Sequence, residues 1–206
     1  MRTRKLAVAM VWMAMVAAMA GRAESHKPQA DALVTVFTYD RTGVPWAVMM
    51  RAQRVATAAF AAAGIELRWV KGQRLEEPRK VASGEVLTVV FDLSAPAQAS
   101  LHAFARTMLG DRADGDVHVF YGRVSRFPDK VLMPEVLGNV LAHELTHALQ
   151  GVARHSSEGL MKADWEIPDY QKMSRGPLAF AAVDLELLRA HFNKAVSPEP
   201  ALVAAR

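Results

Sequence analysis

The chain has 206 residues, 51% of them hydrophobic, a formal charge of +4 and no cysteine. That length suits one domain plus a processing segment, and the absence of thiols excludes disulfides, thiolate metal ligands and thiol-linked lipid anchors. The positive charge is not a nucleic-acid footprint, because no basic block follows the cations at the N-terminus.

Arg2, Arg4 and Lys5 precede an apolar run from Leu6 to Ala18, and Ala18-Met19-Ala20 closes it. A basic region, an apolar region and a small-residue cut site together read as a secretory signal peptide over residues 1–20, with Gly21-Arg22-Ala23 offering a later cut. The apolar run is shorter than the ~20 residues a membrane-crossing helix needs. An uncleaved signal anchor that tethers the protein to the membrane is the alternative. Cleavage removes three cations and leaves a formal +1, with no stable membrane association expected afterwards. A disulfide-free domain of this size is viable, since roughly two-thirds of the unfolded surface is buried at ~150–200 residues.

Leu33 to Tyr39 is rich in β-branched and aromatic residues, apolar on both faces, and reads as a central strand. Thr42-Gly43 turns the chain, and Pro45 opens a helix to about Ala63, stopped by Gly64. Ile65 to Val70 is a second strand, and a strand-helix-strand unit predicts a parallel pair. After a polar loop, Lys71 to Gly84, a third strand covers Glu85 to Leu93. The pattern predicts a short helix over Ala97 to Leu109 and a turn over Gly110 to Gly115. Alternating polarity over Asp116 to Val124 predicts a half-exposed edge strand. Pro134 to Gln150 reads as a long helix and Pro177 to Asn193 as a C-terminal one. Residues 195–206, with Pro198 and Pro200, read as a flexible tail.

The chemistry sits on the long helix, in His143-Glu144-Leu145-Thr146-His147. Imidazoles at i and i+4 project from one side of a helix and can share a Zn2+ ion, while Glu144 between them is placed to take a proton from an attacking water. The bland alternative is two histidines that merely share a helix face. Leu137, Leu141, Leu145 and Ala148 form one stripe, and Val136, Val140, His143 and His147 another, as on a helix buried between two layers. A catalytic zinc needs a third protein ligand. Gly151 ends the helix, so the chain can reverse there and return His155 to the metal. Glu158, Asp164, Glu166 and Glu186 are the competing candidates.

The stretch from His143 to Met161 resembles the metzincin clan of zinc endopeptidases, and within it the matrixin-like pattern. That pattern is H-E-x-x-H, a turning glycine, a third histidine and a tight turn with a methionine. Here His155 follows His147 by eight positions, where the usual interval is six. The stretch His-Ser-x-x-Gly-x-Met then follows at once, so the chain is similar to a divergent branch of secreted bacterial zincins. The resemblance implies a zincin-like α+β single domain over about residues 30–194, with a mixed twisted sheet, an active-site helix and a C-terminal helix. It implies zinc on His143, His147 and His155, Glu144 as general base, Gly159 in the tight turn and Met161 as an apolar floor. It also implies an edge strand that pairs with extended peptide, for which Asp116 to Gly122 is the candidate. His118 on that strand is read as a surface or cleft residue, and His26, His102 and His191 as structural or exposed. Tyr170 and Tyr121 are both candidates to stabilise an oxyanion.

The expected function is that of an exported, monomeric zinc endopeptidase acting on peptide or protein substrates, with no nucleic-acid partner. The alternative is an exported zinc-binding module without catalysis. The signal-peptide reading predicts a mature N-terminus at Gly21 or close to Glu24, outside the cytoplasm. N-terminal sequencing of the natural product checks it, and an intact Met1 on soluble cytosolic protein would overturn it.

Overall fold

The computed structural model describes residues 32–72, 84–109 and 116–196. The signal-peptide segment, His26, most of the Lys71 to Gly84 loop, the Gly110 to Gly115 turn and residues 197–206 of the tail lie outside them. The elements in chain order are β1 (Ala32–Asp40), α1 (Trp46–Ala62), β2 (Ile65–Lys71), β3 (Glu85–Asp92), β4 (Ala105–Met108), β5 (Asp116–Phe120), α2 (Tyr121–Val124), α3 (Met133–Gln150), α4 (Ile167–Met173) and α5 (Ala182–Val196).

One mixed sheet runs in the order β2-β1-β3-β5-β4. The first four of these strands are parallel, with Val36 opposite both Trp69 and Leu87 and with Phe91 opposite Val119. Only β4 runs antiparallel, and it forms one edge of the sheet, with β2 at the other. Strand alternation brings Val34, Val36, Leu87, Val89, Val117 and Val119 to one face, where they join α1 and α3 in the main core. Fourteen of the eighteen α3 residues are buried, as the two apolar stripes predict.

α1 lies close against α3 because Gly138 has no side chain. A Cβ there would run into Val55 and the carbonyl oxygen of Ala52. Polar ties complete the seating of α3. Arg51 pairs with the buried Glu135 at 2.6 Å, and the buried Asn139 side chain accepts the Leu178 amide at 2.8 Å.

Three expectations are corrected. Ala97 to Leu109 is not a helix: residues 105–108 are β4, because pairing with β5 outweighs weak local preference. Asp116 to Val124 is not an edge strand. β5 stops at Phe120, is paired on both sides, and continues as the single helical turn α2. Its alternation reflects one core-facing side and one side carrying His118, whose Nδ1 lies 2.7 Å from Asp92. The C-terminal helix begins at Ala182 rather than Pro177, since the intervening backbone serves α3 and its following loop. The helix α4 was not anticipated, although Glu166-Ile167-Pro168-Asp169 carries a capping box with proline in the first turn. No helix among the described residues is long and apolar enough to cross a membrane.

Gly138→Ala should destabilise the fold by about 1–3 kcal/mol by overpacking the α1–α3 contact. Urea unfolding measures this, and an unchanged midpoint would show that the two helices yield without cost.

Candidate metal centre

α3 begins at Met133 and has Pro134 and Glu135 in its first turn, a proline and a carboxylate suited to a helix N-terminus. It stops at Gly151, whose φ of 66° is left-handed and whose amide donates to the His147 carbonyl at 2.9 Å. Within the last turns His143 and His147 stand side by side, with ring centroids 4.7 Å apart. The returning chain brings His155 to both rings, at 5.3 Å and 5.1 Å. One ligand atom from each of the three lies within 4.8 Å of the others.

The hydrogen bonds select a metal-binding form of the rings. His143 Nδ1 donates to the Leu160 carbonyl at 2.9 Å, and His147 Nδ1 donates to the Val152 carbonyl at 3.0 Å. A carbonyl can only accept, so both Nδ1 atoms carry the proton and both Nε2 atoms present lone pairs. Those two Nε2 atoms face one another at 3.0 Å. A cation between them turns lone-pair repulsion into coordination, so the residues present fit a zinc ion. Burial pushes the His143 imidazole down to about 4, and burial together with the His143 charge lowers His147. Both shifts favour the neutral ring.

The loop after α3 is shaped by Gly159, at φ 73°, where a Cβ would meet the carbonyl oxygen of Ala179. Its turn lets the Leu160 amide donate to Ala179 at 2.8 Å and buries both Leu160 and Met161 completely. The Ser156 amide donates to the Met161 carbonyl at 2.8 Å, which closes the loop on itself. Gly159 thus makes a turn and Met161 is buried, an arrangement that ordinary core packing also produces.

Glu144 sits half-buried at the foot of a cleft of about 790 Å3, together with the three histidines. The Thr107 hydroxyl on β4 donates to Glu144 Oε2 at 2.6 Å. Burial raises the Glu144 carboxyl above its ordinary range, and the Thr107 hydrogen bond opposes that rise. Trp165 lies edge-on to His143, with centroids 5.7 Å apart, and also lines the cleft.

Among the described residues, the three histidines are the only cluster of metal-ligating side chains. Glu158 and Glu186 are exposed and Asp164 is an exposed residue on the cleft wall. Glu166 caps α4 and pairs with Lys162 at 3.1 Å. Tyr170 lines the cleft and packs on Phe127 at 5.4 Å, whereas Tyr121 is buried and contributes nothing to the cleft wall. His118 lies outside the cleft, bound to Asp92, and His191 is 3.2 Å from Glu85. His102 is exposed on the cleft wall. The candidate for strand pairing with a substrate moves from Asp116–Gly122 to β4, the true edge beside the site. Thr107 and Trp165 were missed. Neither belongs to the motif, and only tertiary contact joins them to it.

The fold recurs among solved structures. The crystal structure of archaemetzincin from Methanopyrus kandleri aligns with a TM-score of 0.51 and 16% sequence identity, over 79% of this chain and 96% of that one. The shared architecture is a zincin-like α+β fold. No protein-family model matches the chain, and no curated protein matches it.

Thr107→Val removes the donor to Glu144 while keeping shape, and should cost about 1–3 kcal/mol of stability at neutral pH. Thr107→Ser should retain most of it. Equal urea midpoints for wild type and the valine variant would show that this hydrogen bond contributes nothing.

Proposed function

We propose that this protein is an exported zinc-dependent endopeptidase. The observation that supports the reading is the convergence of three imidazoles, two with unprotonated Nε2 atoms, beside a half-buried carboxylate in a cleft lined by the edge strand β4. When bound, zinc polarises a scissile carbonyl and lowers the pKa of the attacking water toward ~7. His143, His147 and His155 are the residues that hold the ion.

Glu144 is the general base. It takes the proton of the attacking water and passes it to the leaving amine. Its raised affinity for protons, produced by burial, makes it a better acceptor than an exposed carboxylate. The Thr107 hydroxyl holds Oε2 in place during this exchange. An extended peptide pairs with the outer side of β4, and main-chain hydrogen bonds there orient the bond to be cut. Ala105, Arg106 and Thr107 of β4 line the cleft, so a chain paired with this strand passes beside Glu144. The N-terminal signal carries the enzyme out of the cytoplasm, and substrates are peptides or proteins met there.

The purified protein should hold about one zinc per chain, and His155→Ala should weaken binding nearly as much as His147→Ala. Glu144→Gln keeps size and removes basicity, so zinc content and fold should survive while peptide hydrolysis falls by several orders of magnitude. The assay compares wild type, Glu144→Gln and chelated wild type on an unfolded-protein substrate. Equal residual activity in all three would leave the enzyme reading without support. Zinc-loaded wild type that cleaves nothing would instead favour a binding module.

A further inference from the structure

His155 is the least supported member of the triad by its own surroundings. It is exposed, whereas His143 and His147 are buried, and it stands in a segment with no regular structure. Something else must hold it within reach of the two helix-borne rings. Its immediate neighbours in sequence, Arg154 and Ser156, both reach one buried carboxylate on the N-terminal turn of α5.

That carboxylate belongs to Asp184, which is fully buried at 0% exposure. Its Oδ1 accepts from Arg154 Nη1 at 2.8 Å and from the Ser156 hydroxyl at 2.7 Å. Its Oδ2 accepts the Ala181 amide at 3.3 Å, and Arg154 Nη2 lies 3.2 Å from the Ser156 oxygen. The Asp184 carbonyl oxygen accepts from the Gln150 side chain at 3.3 Å, which ties the same turn to the end of α3. A charge taken wholly out of water is costly unless paired, and a buried pair is a poor source of net stability compared with apolar packing. What such a pair does well is define position. Here a single oxygen, Oδ1, takes the side chains on either side of one histidine, while Oδ2 is tied to the backbone of its own turn.

We infer that Asp184, acting through Arg154 and Ser156, is the positioning residue that holds His155 at the metal. The inference rests on the three-histidine reading of the site. α5 then has a task beyond covering the core, since its first turn is an anchor for the third ligand. Loss of the anchor frees His155 to sample solvent, and ordering it again on metal binding weakens affinity. Groups that orient metal ligands typically contribute 10–100-fold to affinity.

The test uses the full mature chain stripped of metal, with Zn2+ titrated against a competing chelator and Co2+ as a spectroscopic probe. Asp184→Asn should weaken zinc by about 10–100-fold and alter the visible Co2+ spectrum. Ser156→Ala, which leaves the ion pair intact, should weaken zinc by about tenfold and carries the test if the first variant does not fold. In a His155→Ala background, neither substitution should cost further affinity. Wild-type zinc affinity in both single variants would overturn the inference. So would an equal loss with and without His155, because that result assigns Asp184 to the fold at large. Wild-type protein that binds no zinc would remove the three-histidine reading itself, a result distinguishable from the others.

Discussion

Two imidazole nitrogens, each with its lone pair turned toward the other at 3.0 Å, are the constraint on which this molecule is organised. Left to themselves such rings would rotate apart or take up a proton. They are prevented by carbonyl groups of the following loop, Leu160 for His143 and Val152 for His147. Those carbonyls are in turn held by Gly151, by Gly159 and by the Leu160 bond to Ala179. The loop after α3 is therefore a scaffold for ring orientation as much as a connection.

Burial sharpens the arrangement. α3 is enclosed by α1, the sheet and the loop, so its polar groups lie where hydration is poor and charge is penalised. The same desolvation lowers His143 and His147 and raises Glu144. One environment thus prepares bases of two kinds, neutral rings suited to a cation and a carboxylate suited to a proton. Thr107 moderates the second effect from the sheet edge, so β4 both borders the cleft and touches the acid–base group.

The fold serves the site through rigid backing. α3 is sandwiched so closely that Gly138 leaves no space for a methyl group, which limits the freedom of the helix bearing two of the rings. Asn139 clasps the Leu178 amide, and the next residue, Ala179, accepts from Leu160. The segment before α5 therefore links the middle of α3 to the loop that orients His143. Packing and polar contacts converge on the same few turns of backbone.

Local sequence accounts for the parallel strand-helix-strand unit, the extent of α3 and its stop at Gly151, and the spacing of His143, Glu144, His147 and His155. These are local matters: hydrophobic period, turn chemistry and residue identity act within a few positions. The capping box that starts α4 is equally local, from Glu166 to Asp169. Tertiary pairing set which of the last two strands lies at the edge, since β5 has a partner on each side and β4 pairs only with β5 among the described residues. The fold likewise decided that Thr107, Trp165 and Asp184 belong around the motif, through contacts that span 22 to 37 positions of sequence. No periodicity encodes such neighbours. Their roles arise when burial brings a hydroxyl, an indole and a carboxylate to groups that have lost their water and must find partners in the chain.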